Sequence, residues 1–202
     1  MKKKELEMAL QRVRPFEEPD PSAEQYPTPA VIAADMAFTA FSLGDIHGRK
    51  VADLGCGTGM LGIAAALLGA TEVWGIDNDP RALGLARQNA QAQGVELRLM
   101  EGDVSEFVQK VDTVIMNPPF GSQTRHADRP FLEKATEVAG VSYSLHNAVT
   151  QEFLLQMISS AGGQAKVLKR YKFEIPHTFA FHKKAKRDVE VLLLRIQTHG
   201  DY

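Results

Sequence analysis

Four residues, Asn117-Pro118-Pro119-Phe120, close an apolar run that starts at Val111 and set an amide, two prolines and an aromatic ring side by side. Proline has no backbone N–H, and Pro118 restricts the residue before it to extended conformations, so a strand built on Val111, Val114 and Ile115 ends at Asn117. The Asn117 side-chain oxygen and the Pro118 carbonyl are then two acceptors on one stiff turn. Such a pair suits a conjugated amino group. Its lone pair is delocalised and weakly nucleophilic, and two acceptors on its N–H groups turn that lone pair toward an electrophile and stabilise the developing charge. Phe120 adds a ring for stacking, and Pro119 helps to hold near-attack geometry. This chemistry needs no Ser/His/Asp or Cys/His nucleophile, and no Cys/His spacing points to a metal.

A second group of residues suits a nucleoside ligand. Asp53-Leu54-Gly55-Cys56-Gly57-Thr58-Gly59 follows a strand pattern and precedes a helical one, where Gly55 and Gly57 let backbone approach a ligand. Asp77 lies 24 positions after Asp53 at the end of the next strand, where a carboxylate can accept both hydroxyls of a ribose. Asp103 closes a third strand and is placed to accept from an adenine amino group; Asn78 and Val104 adjoin the two aspartates and join the same set. Asp53 directly before the turn is a poor neighbour for phosphate and a good one for an ammonium group. A nucleoside carrying a cationic amino acid meets these demands, which points to S-adenosyl-L-methionine. Together DLGCGTG, Asp77, Asp103 and NPPF resemble, in order and spacing, the class I methyltransferases that act on exocyclic amino nitrogens.

The elements that must position these residues alternate between strand and helix, which argues for parallel strands joined by right-handed crossovers. Leu6, Leu10 and Val13 give a short helix over residues 2–13. Five prolines between Pro15 and Pro29 impose an extended segment. Thr28 reads as an N-cap and Pro29 as the first helical residue of a helix over Ala30–Leu43. Strands follow at Lys50–Leu54, Glu72–Ile76, Val95–Met100, Val111–Met116 and Val141–Leu145. Asp79-Pro80, Asp128 with Pro130, and Asn147 mark helix starts. Two β-rich runs, Ala165–Ile175 and Val189–Ile196, lie close enough in sequence to form an antiparallel pair. The expected architecture is α/β: a Rossmann-like, mostly parallel sheet with a C-terminal antiparallel hairpin and helices on both faces. Residues 1–202 read as one methyltransferase domain, with an N-terminal helix and proline-rich cofactor-covering segment over 1–29 and a catalytic core over 30–202.

Bulk properties restrict rather than identify. The chain has 202 residues, 44% hydrophobic and 24% charged, with a formal net charge of -2, so no global charge draws it to nucleic acid. The single cysteine, Cys56, excludes an internal disulfide, and with neither a secretory leader nor a membrane-spanning run a cytoplasmic location is expected. The total charge conceals an asymmetry. From Ala161 to Tyr202 there are nine Lys or Arg against four Asp or Glu. Lys183, Lys184, Lys186 and Arg187, next to Phe179 and Phe181, make a loop able to pair phosphates and stack bases.

The flanking motifs narrow the resemblance. Gln25-Tyr26-Pro27-Thr28, NPPFG, Ser142-Tyr143-Ser144-Leu145-His146 and Phe181-His182-Lys183-Lys184 are similar to the methyltransferase-like proteins of archaea and eukaryotes that place N6-methyladenosine in small-subunit ribosomal RNA. The resemblance runs from about Leu6 to Ile196. It implies that Gln25 and Thr28 close over the methionine end of S-adenosylmethionine, that RNA is held by this domain itself, and that a small zinc-containing activator protein adds a strand to the sheet edge. The residues alone leave the base open: guanine N2 and a protein glutamine present the same conjugated NH2, and a catalytically silent RNA-binding module would keep the fold. His146 and His182 are read as core or hydrogen-bonding histidines. Duplex pairing occupies adenine N6, so an adenine target must be unpaired or flipped out.

Overall fold

The computed structural model describes residues 1–16, 27–120, 127–176 and 186–198. Its centre is a seven-stranded sheet in the order β3-β2-β1-β4-β5-β7-β6. The strands are β1 (Lys50–Leu54), β2 (Glu72–Asp77), β3 (Arg98–Glu101), β4 (Thr113–Met116), β5 (Val141–Asn147), β6 (Gly163–Pro176) and β7 (Lys186–Thr198). Strands β1 to β5 pair in parallel, while β7 runs antiparallel to both β5 and β6. The expected C-terminal hairpin is present, with β7 inserted between β5 and β6.

The helices among the described residues are α1 (Lys3–Leu10), α2 (Ala30–Ser42), α3 (Met60–Leu67), α4 (Pro80–Ala92), α5 (Arg129–Val138) and α6 (Gln151–Ser160). Alternation along the strands sends successive side chains to opposite faces. Val51, Val73, Ile115, Tyr143 and Leu193 pack with Leu6, Leu10, Ile32, Met36 and Ile63 in one core. Ala52, Leu54, Ile76, Val114, Met116 and Leu194 pack with Phe107, Leu132, Leu154 and Ile158 in the other.

Several boundaries move for local reasons. Helix α2 starts at Ala30 with Pro29 as its N-cap, so Thr28 does not cap it; the Pro29 carbonyl receives the N–H groups of Ile32 and Ala33. Strand β3 begins at Arg98 because the Val95 N–H closes the turn after α4 on the Ala90 carbonyl. Strand β4 begins at Thr113, since the Val111 N–H bonds the Val138 carbonyl outside the ladder. Asn147 caps a single 3-10 turn, Ala148–Thr150, before α6. Asp79 caps α4 as expected, accepting from the Arg81 N–H.

Lys3 and Lys169 both reach the carboxylate of Asp35 on α2, and the Tyr171 hydroxyl donates to it at 2.8 Å, tying α1 and the edge strand β6 to one buried group. Lys169 and Tyr171, two residues apart on β6, share a face of the sheet just after a bulge between Val167 and Lys169.

Candidate active site

Strand order fixes where the site must be. Strand β1 has β2 on one side and β4 on the other, so the chain reverses its direction of winding there, and the crevice lies beyond the C-terminal ends of β1 and β4. Leu54 is in register with both Ile76 and Met116, so Gly55, Asp77 and Asn117 follow at one level. The glycine turn and the Asn-Pro-Pro-Phe turn are adjacent strand ends.

Asn117 is half-buried and Pro118 buried. The Asn117 Nδ2 donates at 3.0 Å to the hydroxyl of Thr28, which is 7% exposed. That bond orients the amide, and it accounts for Thr28 leaving the helix cap. Asn117 Oδ1 is buried and has no hydrogen-bond partner among the described residues. A buried acceptor left unpaired costs roughly 1–3 kcal/mol. Such atoms are rare in folded proteins and point to a ligand or a functional requirement. Phe120 is partly buried and packs against the core on the α2 face.

The glycine loop is built from positive-φ turns at Gly55 and Gly57, with φ of 69° and 51°. What crowds these positions was not legible from the motif. A Cβ on Gly55 would lie 2.8 Å from the ring of Phe131, and one on Gly57 would lie 3.2 Å from the ring of Phe16. Positive φ favours glycine at both positions, and at Gly55 the Phe131 ring also crowds out a Cβ, whereas at Gly57 the Phe16 ring would have to give way only slightly.

Asp77 receives the Gly57 N–H on Oδ2 at 2.7 Å and the Asp79 N–H on Oδ1 at 3.0 Å, which welds it to the loop. Burial raises its carboxyl pKa, while these N–H groups act in the opposite sense. Asp53 is 2% exposed and accepts from the Gly62 N–H of α3 at 2.7 Å. Its carboxyl is pushed up to about 7, chiefly by burial and further by the charge of Asp77, against the pull of the Gly62 N–H. Asp103 sits at the surface after β3 and receives the Ser105 hydroxyl and N–H, which hold its pKa low. Asn78 is exposed beside Asp77, and Val104 is buried in the second core.

Gln25, Lys183 and Lys184 lie outside the described residues, as do Phe179, Phe181 and His182. Lys186 and Arg187 open β7, opposite Pro176 and Ile175. The site also gathers His146, which is the core, hydrogen-bonding histidine expected from the sequence, and Asn89, which no motif announced. His146 is 1% exposed and bridges the Ser144 hydroxyl at 2.7 Å and Asp128 at 3.2 Å, so it joins β5 to the residue before α5. Asn89 of α4 is buried and bonds both the N-terminal segment and the glycine loop. Its sequence signal was a lone amide on an otherwise apolar helix face.

Residues 35–154 match the family model described as the methyltransferase small domain. The chain belongs to the methyltransferase small domain family. Among similar members, the rRNA N(6)-adenosine-methyltransferase METTL5 of Danio rerio is 38% identical over 96% of this chain and 98% of its own. An uncharacterized protein of Methanocaldococcus jannaschii is 36% identical over 99% of this chain and 96% of its own. The crystal structure of a Pyrococcus horikoshii protein, a proposed RNA methyltransferase, superposes with a TM-score of 0.91 at 42% identity, covering 98% of each chain. The sheet of this methyltransferase small domain protein is the class I Rossmann-like sheet anticipated from its alternation of elements. No helix among its described residues is long and apolar enough to cross a membrane.

Proposed function

We propose that this chain transfers a methyl group from S-adenosylmethionine to N6 of an unpaired or flipped-out adenine in RNA, with small-subunit ribosomal RNA as substrate and the cytoplasm as its place of action. The observation that carries the reading is Asn117 Oδ1, a buried acceptor without a partner among the described residues, at the switch point of the sheet. Relatives matching over nearly the whole chain and named for rRNA N6-adenosine methylation support it.

The residues at the strand ends fit the methyl donor. Asp77, fixed by two backbone N–H groups, retains lone pairs for ribose hydroxyls. Asp103, with Asn78 and Val104 nearby, is assigned to the adenine, and Gly55 and Gly57 to the close approach of backbone. Asp53 supplies negative potential for the ammonium group, and Gln25 with Thr28 the contacts to the methionine end. When bound, S-adenosylmethionine supplies a methyl group on an electrophilic sulfonium.

The chain's own residues supply orientation. Asn117 Oδ1 and the Pro118 carbonyl accept the two N6–H groups, rehybridise the nitrogen and stabilise the positive charge that develops on it. Pro118 and Pro119 hold these acceptors still, and Phe120 stacks on the base. The basic run Lys183, Lys184, Lys186 and Arg187 pairs with RNA phosphates. The full-length likeness to N6-adenosine enzymes favours adenine over guanine N2 or a protein glutamine, which the same turn can orient. A small zinc-containing activator that extends a sheet edge belongs to the same reading, and co-purification with a candidate partner tests it.

Calorimetry with S-adenosylmethionine, with any required partner present, is the simplest test. Saturable one-site binding is expected; a folded protein that binds no methyl donor would favour a silent RNA-binding module.

A further inference from the structure

Asn89 spends its amide on three backbone groups that belong to two distant segments. Its Oδ1 accepts the Arg14 N–H at 3.0 Å, and its Nδ2 donates at 3.0 Å to the Arg14 carbonyl and at 3.0 Å to the Thr58 carbonyl. Thr58 belongs to the glycine loop, and Arg14 lies four residues beyond α1. One helical turn further along, Gln93 Nε2 donates to the Ala9 carbonyl at 3.0 Å, and the Arg14 guanidinium donates to Gln88. The chain from Ala9 to Arg14 is thereby pinned along α4. Asn89 is 2% exposed among the buried Ala82, Leu83, Ala86 and Ala90, so the amide is desolvated and its bonds are costly to lose.

The pinning delivers Phe16 to the glycine loop. Its Cζ lies 3.2 Å and its Cε2 3.7 Å from where a Gly57 Cβ would stand. Gly57 in turn donates its N–H to Asp77 Oδ2 at 2.7 Å, so the ring rests on the same hydrogen-bonded unit that is assigned to the ribose. The ring is only half-buried, so its contacts with this protein do not use its whole surface. Two residues earlier in the turn, Phe131 of α5 presses on Gly55. Two rings from distant parts of the sequence contact the loop.

We infer that Phe16 is a wall of the methyl-donor site, contacting the bound nucleoside amino acid, and that Asn89 is the positioning residue that holds it there through Arg14. The inference rests on the methyl-donor reading given above. An aromatic ring is suited to this place because it offers a large apolar surface at a small cost in side-chain entropy and tolerates contact with both a sugar and a cationic sulfonium. The wall is supplied by the segment after α1 rather than by the sheet, so it is absent from any motif centred on the glycines.

The test is calorimetric titration of the full chain with S-adenosylmethionine and with S-adenosylhomocysteine, each paired with a thermal melt of the same protein. Phe16→Ala is expected to weaken both ligands by about tenfold, with Phe16→Leu recovering most of the loss. Asn89→Ala is expected to weaken them by a similar factor, and the double variant by no more than the weaker single, because the two act as one unit. Should Asn89→Ala fail to fold, the two Phe16 variants carry the test alone. A lowered melting temperature with unchanged affinity would reduce Phe16 to a packing residue and overturn the inference. Tighter binding would mean that the ring fills the site rather than walls it, and would overturn it equally. A wild-type protein that binds neither ligand would refute the methyl-donor reading itself, a result distinct from both.

Discussion

Asn117 and Thr28 stand 89 positions apart, and a single hydrogen bond of 3.0 Å from the amide of one to the hydroxyl of the other decides which way Asn117 Oδ1, the acceptor proposed for the substrate amino group, faces. With Nδ2 committed to Thr28, Oδ1 is the atom left for an amino group. Replacing Thr28 with Val keeps the shape and removes the acceptor. A lost hydrogen bond of about 1 kcal/mol corresponds to a five- to tenfold lower methylation rate on RNA. Thr28→Ser should stay near wild type, and a Thr28→Val enzyme at full rate would show that Asn117 needs no such anchor.

The acidic group beneath the glycine loop makes stability depend on pH with an unusual sign. Burial holds the Asp53 carboxyl at about 7 in the fold, whereas in the unfolded chain it titrates near about 3.9. Between those values the folded state binds the extra proton, so this contribution is fully present below about pH 4 and is lost as pH rises through about 7. Asp53→Asn removes the dependence. Its melting temperature relative to wild type should therefore rise from pH 5 to pH 8; parallel curves would contradict the assignment. If Asp53 faces the ammonium group, affinity for S-adenosylmethionine should also increase over the same range, with proton release on binding.

Most of the topology is legible in the sequence, because each crossover announces itself. Strand β1 matches its apolar run residue for residue, and Asp79-Pro80 marks the start of α4. What was hidden depends on tertiary contact. Thr28 looked like an N-cap because local chemistry favours it there, yet its hydroxyl is taken by Asn117 and the helix begins at Ala30. Gly55 and Gly57 looked like room for a ligand, and two phenylalanine rings also crowd them. Neither Phe16 nor Asn89 carries a local signal of its partner, since Arg14 and Asn89 meet across 75 positions.

Asp35 offers a test of how the N-terminal helix and the hairpin are held. Its carboxylate accepts from Lys3, Lys169 and Tyr171; burial raises its pKa, but the bonds from Lys169 and Lys3 prevail and lower it. Both lysines are substantially exposed, at 48% and 38%, so screening limits the worth of each pair. Asp35→Ala is expected to cost about 1–2 kcal/mol, or a melting temperature lower by roughly 3–6 °C. Scanning calorimetry reads this directly, and no change would assign the cluster no structural weight.

The basic run is testable through salt. If Lys183, Lys184, Lys186 and Arg187 each neutralise an RNA phosphate, replacing all four with Gln should reduce the slope of log affinity against log salt by about three and weaken RNA binding at low salt. Affinity for S-adenosylmethionine should be untouched. An unchanged slope would move the RNA-binding face elsewhere.

Orientation of adenine N6 by Asn117 is read out by nucleoside mass spectrometry of methylated RNA. Ribosomal RNA is incubated with S-adenosylmethionine and the wild-type or Asn117→Ala protein, with any activator supplied, then digested and analysed. The wild type should yield N6-methyladenosine, and Asn117→Ala should reduce its rate by about a hundredfold or more while the protein remains folded. N2-methylguanosine in place of N6-methyladenosine, or an Asn117→Ala rate equal to wild type, would contradict the account.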